Sequence, residues 1–126
     1  MVSTLGDVVG NILIICGGIS TDLVLYDSCY ILNPDNQWTF LSRMSKPRKK
    51  SGAISIPEGI WVTGGISLNG AESSTEFIFV NGSRASGPQL PDTRHAHCVV
   101  KHKHQIFIIG GYLEFFRKIF RFCNCS

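Results

Sequence analysis

Four histidines fall within ten residues of one another: His95, His97, His102 and His104. On a β-strand, residues two apart share a face, so His95 and His97 could hold a metal ion between them. No carboxylate or cysteine stands where it would complete a tetrahedral ligand set. The simpler reading is therefore preferred: His97 opens a strand, and His102 and His104 occupy a turn. No metal and no other cofactor is expected. Catalytic patterns are absent as well. The chain has no nucleophile elbow of the GxSxG type, no GxxxxGK[ST] phosphate loop and no carboxylate pair at a defined strand end. The expectation is a protein that binds and is not an enzyme.

The charges point the same way. Lys46-Pro47-Arg48-Lys49-Lys50 is a dense basic run. It is similar to a short nuclear-import signal. A solvated loop is the default reading, and a basic rim facing an acidic protein partner is the functional option. Lys46, Arg48, Lys49 and Lys50, with Arg94 and with Asn69 in the polar loop Ser67 to Ser74, are the candidate partner-binding residues. A net charge of +3 is too mild to suggest nucleic acid. No apolar run approaches the ~20 residues needed to span a bilayer, so no membrane is expected. The start of the chain shows no export signal. Hydrophobic residues at 44% against 17% charged describe a chain that packs.

The elements that must carry these residues repeat along the chain. Three segments, NILIICGG, EGIWVTGG and HQIFIIGG, end in a double glycine. Their second glycines, Gly18, Gly65 and Gly111, step by 47 and then 46 residues. Arg48 and Arg94 keep the step, as do Met44 and Leu90, and Tyr30 and Phe77 lie 47 apart. Between the landmarks, short apolar runs alternate with turn residues, the pattern of β-hairpins. Strands are predicted near 53–56, 60–63, 75–80 and 83–86, with Asn81-Gly82 as a two-residue turn. The preceding unit supplies strands near 12–16, 23–26, 29–32 and 38–41.

Four antiparallel strands in each repeat describe one blade of a β-propeller. The apolar strand, the double glycine, the aromatic on the third strand and Trp38 on the fourth resemble the kelch repeat, whose period is roughly 50 residues. The resemblance covers about Asp7 to Tyr112. It implies an all-β kelch-type propeller fragment with two four-stranded blades and part of a third. The blades run at about 7–48 and 49–93, the third starts at 94–112, and residues 113–126 form a tail that does not match. The chain is expected to begin inside a blade. The aromatic matching Trp38 is missing near Arg84-Ala85. Tyr30 and Trp38 are read as wedges between blades. Propellers close with roughly four to eight blades, so the resemblance implies a piece of a larger ring, with self-association through uncovered blade faces.

By resemblance, kelch domains recruit protein partners, including substrates of ubiquitin ligases, and that is the expected role. An alternative is a secreted propeller binding protein or glycan; a kelch oxidase fragment is a third. Cys16 ends the second strand and Cys29 begins the third, where antiparallel neighbours come within disulfide range. Cys98, Cys123 and Cys125 complete an odd set that cannot fully pair within the chain. Asn81-Gly82-Ser83 and Asn124-Cys125-Ser126 are glycosylation sequons. The disulfide and sequons favour secretion, free thiols a cytoplasmic protein, and the sequence leaves the two open.

Overall fold

The structure, a computed structural model, describes residues 4–111 and the backbone of 119–123. The described residues are all-β, with no helix. Strands β1 (Leu5–Val9), β2 (Ile12–Cys16), β3 (Ser28–Leu32) and β4 (Trp38–Arg43) form a first antiparallel sheet in that order. A second four-stranded sheet contains β5 (Gly52–Ile56), β6 (Gly59–Thr63), β9 (Thr75–Phe79) and β10 (Arg84–Ser86). Between β6 and β9 the loop folds into a small hairpin, β7 (Ile66–Ser67) and β8 (Gly70–Ala71). A third sheet joins β11 (Cys98–His102), β12 (Gln105–Ile109) and β13 (Ile119–Cys123).

The first sheet departs from the sequence reading at two places. Leu5–Val9 is a strand paired along its length with Ile12–Cys16, which brings this sheet to four strands among the described residues. Residues 23–26 do not form a strand. Leu23 has a φ of 64°, Ser20 and Val24 close a tight turn around it, and only an isolated bridge joins Ile19 to Leu25. The tail also differs from expectation, because Ile119–Cys123 runs antiparallel to β12 as a third strand.

Side chains directly opposite one another in an antiparallel pair share a face, so the register fixes which faces meet. Leu5, Ile14, Cys16 and Cys29 on one face of the first sheet pack against Ile60, Val62 and Ile78 of the second. The reverse face of the second sheet, through Ile54 and Trp61, packs on Ile106 and Ile108 of the third. Burying one such aliphatic side chain contributes about 1.5–3 kcal/mol, so these two layers hold the three sheets together. The register also moves one sequence match. Tyr30 lies opposite Ile15 and Glu76 opposite Val62. Ile15 and Val62 are equivalent positions, so Tyr30 corresponds to Glu76 and not to Phe77.

Trp38 and Tyr30 stand on the outer face of the first sheet, 52% and 37% exposed, and among the described residues no other sheet covers them. Tyr30 packs edge-on against Phe40, and the Arg43 guanidinium lies over the Phe40 ring.

Candidate functional site

Among the described residues, the β2–β3 and β6–β9 loops emerge at the same end of the stack as the connections between sheets, to which their backbones bond. The double glycines start this arrangement. Gly17 and Gly64 have φ of 63° and 57°, a region in which side-chain-bearing residues are strained. A Cβ on Gly17 would lie 2.7 Å from the Arg48 carbonyl oxygen, and one on Gly64 would collide with that of Arg94. The close approach is used for hydrogen bonding. Gly18 N–H donates to the Arg48 carbonyl at 3.1 Å, and Gly65 N–H to the Arg94 carbonyl at 2.7 Å. Each connection thus crosses behind the glycine turn of the preceding sheet. Lys49 and Ile66 then exchange backbone bonds, and Ala96 N–H donates to Lys50.

The two arginines are not rim residues. Arg48 and Arg94 are fully buried. Each sends its guanidinium forward to the next glycine turn, Arg48 to the Gly64 carbonyl at 2.9 Å and Arg94 to the Gly110 carbonyl at 2.7 Å. Burial depresses the Arg94 pKa, opposed by the charge of Asp92. Arg48 also donates to the Ser74 carbonyl and hydroxyl and to Glu76. Both are therefore withdrawn from the partner-binding set, because neither side chain reaches the surface.

The remaining candidates do reach it. Lys46 is half-buried, its ammonium 3.2 Å from Glu72. Lys49 is half-buried, and Lys50 and Asn69 are exposed. Burial works to raise the Glu72 pKa, yet hydrogen bonds from Ser67, Lys46 and Ser74 and the Lys46 charge outweigh it and leave it lowered. Glu72 is thus held as a carboxylate beneath the rim. It tethers Lys46, while Lys49 and Lys50 lie further along the same connection, half-buried and exposed. Residues 46, 49, 50 and 69 come together at one end, whereas Arg48 and Arg94 lie beneath it.

Sequence reasoning missed the apolar part of this end. Leu23 and Leu68 are each 79% exposed at the tips of loops from successive sheets, and Val24 and Tyr26 are exposed beside Leu23. An isolated exposed leucine is ordinary; here Leu68 stands two residues from Ile66, whose backbone pairs with Lys49, so an apolar and a basic side chain share this end. Next to it lies a pocket of about 360 Å³ with polar walls that include Lys46, Glu76, Arg84 and Gln89.

Of the four histidines, His97 is buried in the interior. His97 Nε2 is 2.7 Å from the Thr63 hydroxyl. Burial, then the charges of Arg94 and His95, push its pKa down to about 4. His95 is lowered by burial and by Lys50 and Lys49. His102 is exposed, and His104 sits in the β11–β12 turn with a φ of 67°. Among the described residues, no three His, Cys, Asp or Glu side chains converge as a metal site.

Cys16 and Cys29 face each other across β2 and β3 and are joined by a disulfide, with their Cα atoms 4.0 Å apart. Both are buried against the second sheet. Cys98 is free and exposed. Cys123 lies on β13, and Cys125 is outside the described residues.

Comparison with known proteins finds no family model that matches the chain and no curated protein that matches it.

Proposed function

We propose that this chain is a piece of a kelch-type β-propeller and works as a protein-binding surface, not as a catalyst. Three things support the propeller reading: the 46–47-residue step, the shared strand order of its sheets, and the repeated Gly–Arg contacts between neighbours. The observation that carries the binding reading is the gathering of successive loops at one end. That end presents Leu23, Leu68, Lys49, Lys50 and Asn69 together. Apolar anchors beside lysines suit a protein segment that carries both carboxylates and large apolar side chains. By family resemblance, the intracellular form of this function would be that of a ubiquitin-ligase substrate adaptor. The Cys16–Cys29 disulfide favours a secreted version of the same binding function, because such bonds persist in oxidising compartments.

The test is a titration of fluorescent acidic peptides, with and without apolar anchors, against the wild type and against Lys49→Glu/Lys50→Glu and Leu68→Ser variants. Tight binding that both variants weaken, with the charge variant also flattening the salt dependence, supports the reading. Equal affinity for all three proteins overturns it.

A further inference from the structure

We propose that Asn81 is an N-glycosylation site, carrying an oligosaccharide at the end of the sheet stack opposite the loop surface. This does not rest on the partner-binding reading. Asn81 begins the sequence Asn81-Gly82-Ser83, the acceptor pattern for transfer to asparagine. The structure places it in the turn between β9 and β10. Gly82 N–H donates to the Phe79 carbonyl and Phe79 N–H to the Ser83 carbonyl, each at 2.9 Å. Gly82 supplies the positive φ of 89° that the turn needs. Asn81 and Ser83 are both exposed.

Within the turn, the Asn81 Oδ1 accepts from Ser83 N–H at 2.9 Å and from the Ser83 hydroxyl at 2.6 Å. The two bonds fix the plane of the side-chain amide and engage only its oxygen. The Nδ2 takes no part in them, and the residue is exposed. A hydroxyl at the third position of the motif is thus already set against the acceptor amide.

The disulfide is the second and independent observation. Cys16–Cys29 is a buried cross-strand bond within the core of the first sheet. Bonds of this kind form in the exporting compartments that also glycosylate. In the transfer step, Nδ2 forms a bond to the anomeric carbon of a lipid-diphosphate-linked oligosaccharide. The bond from that carbon to the diphosphate oxygen breaks, and the lipid diphosphate leaves with the electron pair. Nδ2 gives up one proton, and nothing is oxidised or reduced. Strand β9 runs from Thr75, beside the glycine turn, to Phe79 at the far end. A glycan at Asn81 therefore leaves the loop surface open.

Intact mass of the chain from its native source, before and after peptide-N-glycosidase treatment, tests the proposal. The expected result is loss of a glycan mass with conversion of residue 81 to aspartate. In eukaryotic cells exporting the chain behind a secretory leader, Ser83→Ala and Asn81→Gln should each abolish that shift while Cys16–Cys29 still forms. Three results would overturn it: an unmodified Asn81 in a chain whose disulfide is formed, a glycan confined to Asn124, or a native chain with both thiols free.

Discussion

Arg48 and Glu76 form an ion pair of 2.9 Å with both side chains shut away from water. Arg48 comes from the connection leaving the first sheet and Glu76 from strand β9 of the second. Glu76 also accepts from the Ser45 N–H and hydroxyl at 2.9 and 2.6 Å. The carboxylate therefore gathers the whole connection onto the second sheet. Arg48→Met leaves it buried without its cation, and we expect a loss of about 3–5 kcal/mol. Arg48→Met/Glu76→Leu should cost less than the two single changes added together. Denaturant unfolding of the four proteins measures this, and strictly additive losses would show that the pair does not act as a unit.

The Cys16–Cys29 bond closes a short loop, the two residues being 13 apart in sequence. Cross-linking a loop of this size restricts the unfolded chain and stabilises the fold by roughly 2–4 kcal/mol. Reduction, or Cys16→Ala/Cys29→Ala, should lower the thermal midpoint accordingly. Ile14 and Val62 pack around the bond, so the sheet should survive its loss with the same strand order. An unchanged midpoint after verified reduction would show that the bond adds no stability.

His97 gives the fold a defined acid sensitivity. Its ordinary pKa of 6.5 applies to the unfolded chain, and the fold lowers it to about 4. Above pH 6.5 both states are neutral at this residue, and it contributes no pH dependence. As the pH falls from about 6.5 to about 4, the unfolded chain takes up a proton that the folded one refuses. Stability drops through that window and levels off below it, by on the order of 3 kcal/mol for this group. His97→Gln should flatten the slope. Parallel pH–stability profiles for wild type and variant would assign the acid sensitivity to other groups.

What the sequence revealed, and what it hid, follows from how local each cause is. The double glycines announce themselves because a positive φ beside another backbone admits almost nothing else. The hairpins at 53–63 and 75–86 follow from turn residues between apolar runs, and the structure has both. Leu23-Val24-Leu25-Tyr26 reads as a strand because β-propensity is blind to the turn that Ser20 closes. Leu5–Val9 was hidden by Gly6 and Asp7, yet Asp7 earns its place by accepting the Ser55 N–H of the next sheet at 2.7 Å. Arg48 looked like one of several surface charges. Its burial depends on Glu76, a residue that no local pattern connects to it. Leu68 went unnoticed because one apolar residue in a polar loop carries no periodicity.

The outer face of the first sheet should drive self-association of residues 1–126. Leu13 and Ile15 lie on this face, level with Tyr30 and Leu32. Their equivalents in the second sheet, Ile60 and Val62, are completely buried, as are Ile106 and Ile108 in the third. In the first sheet no other described sheet covers the position, and Trp38 and Phe40 extend it, 52% and 51% exposed. At the far end of the stack, Val100 and Ile109 are also exposed on the third sheet. The two ends are unlike surfaces that the repeat brings together inside the chain, so copies can join head to tail, as closed rings or open chains. An apolar face of a few hundred Å² at ~25 cal/mol per Å² corresponds to several kcal/mol. That is enough to matter beside a net stability of ~5–15 kcal/mol. Sedimentation velocity at micromolar concentrations should show species larger than one chain, and Trp38→Ser/Phe40→Ser should shift the distribution towards the monomer. A wild-type chain that stays monomeric at high concentration and unfolds in one cooperative transition would show that this face is stable in water as it stands.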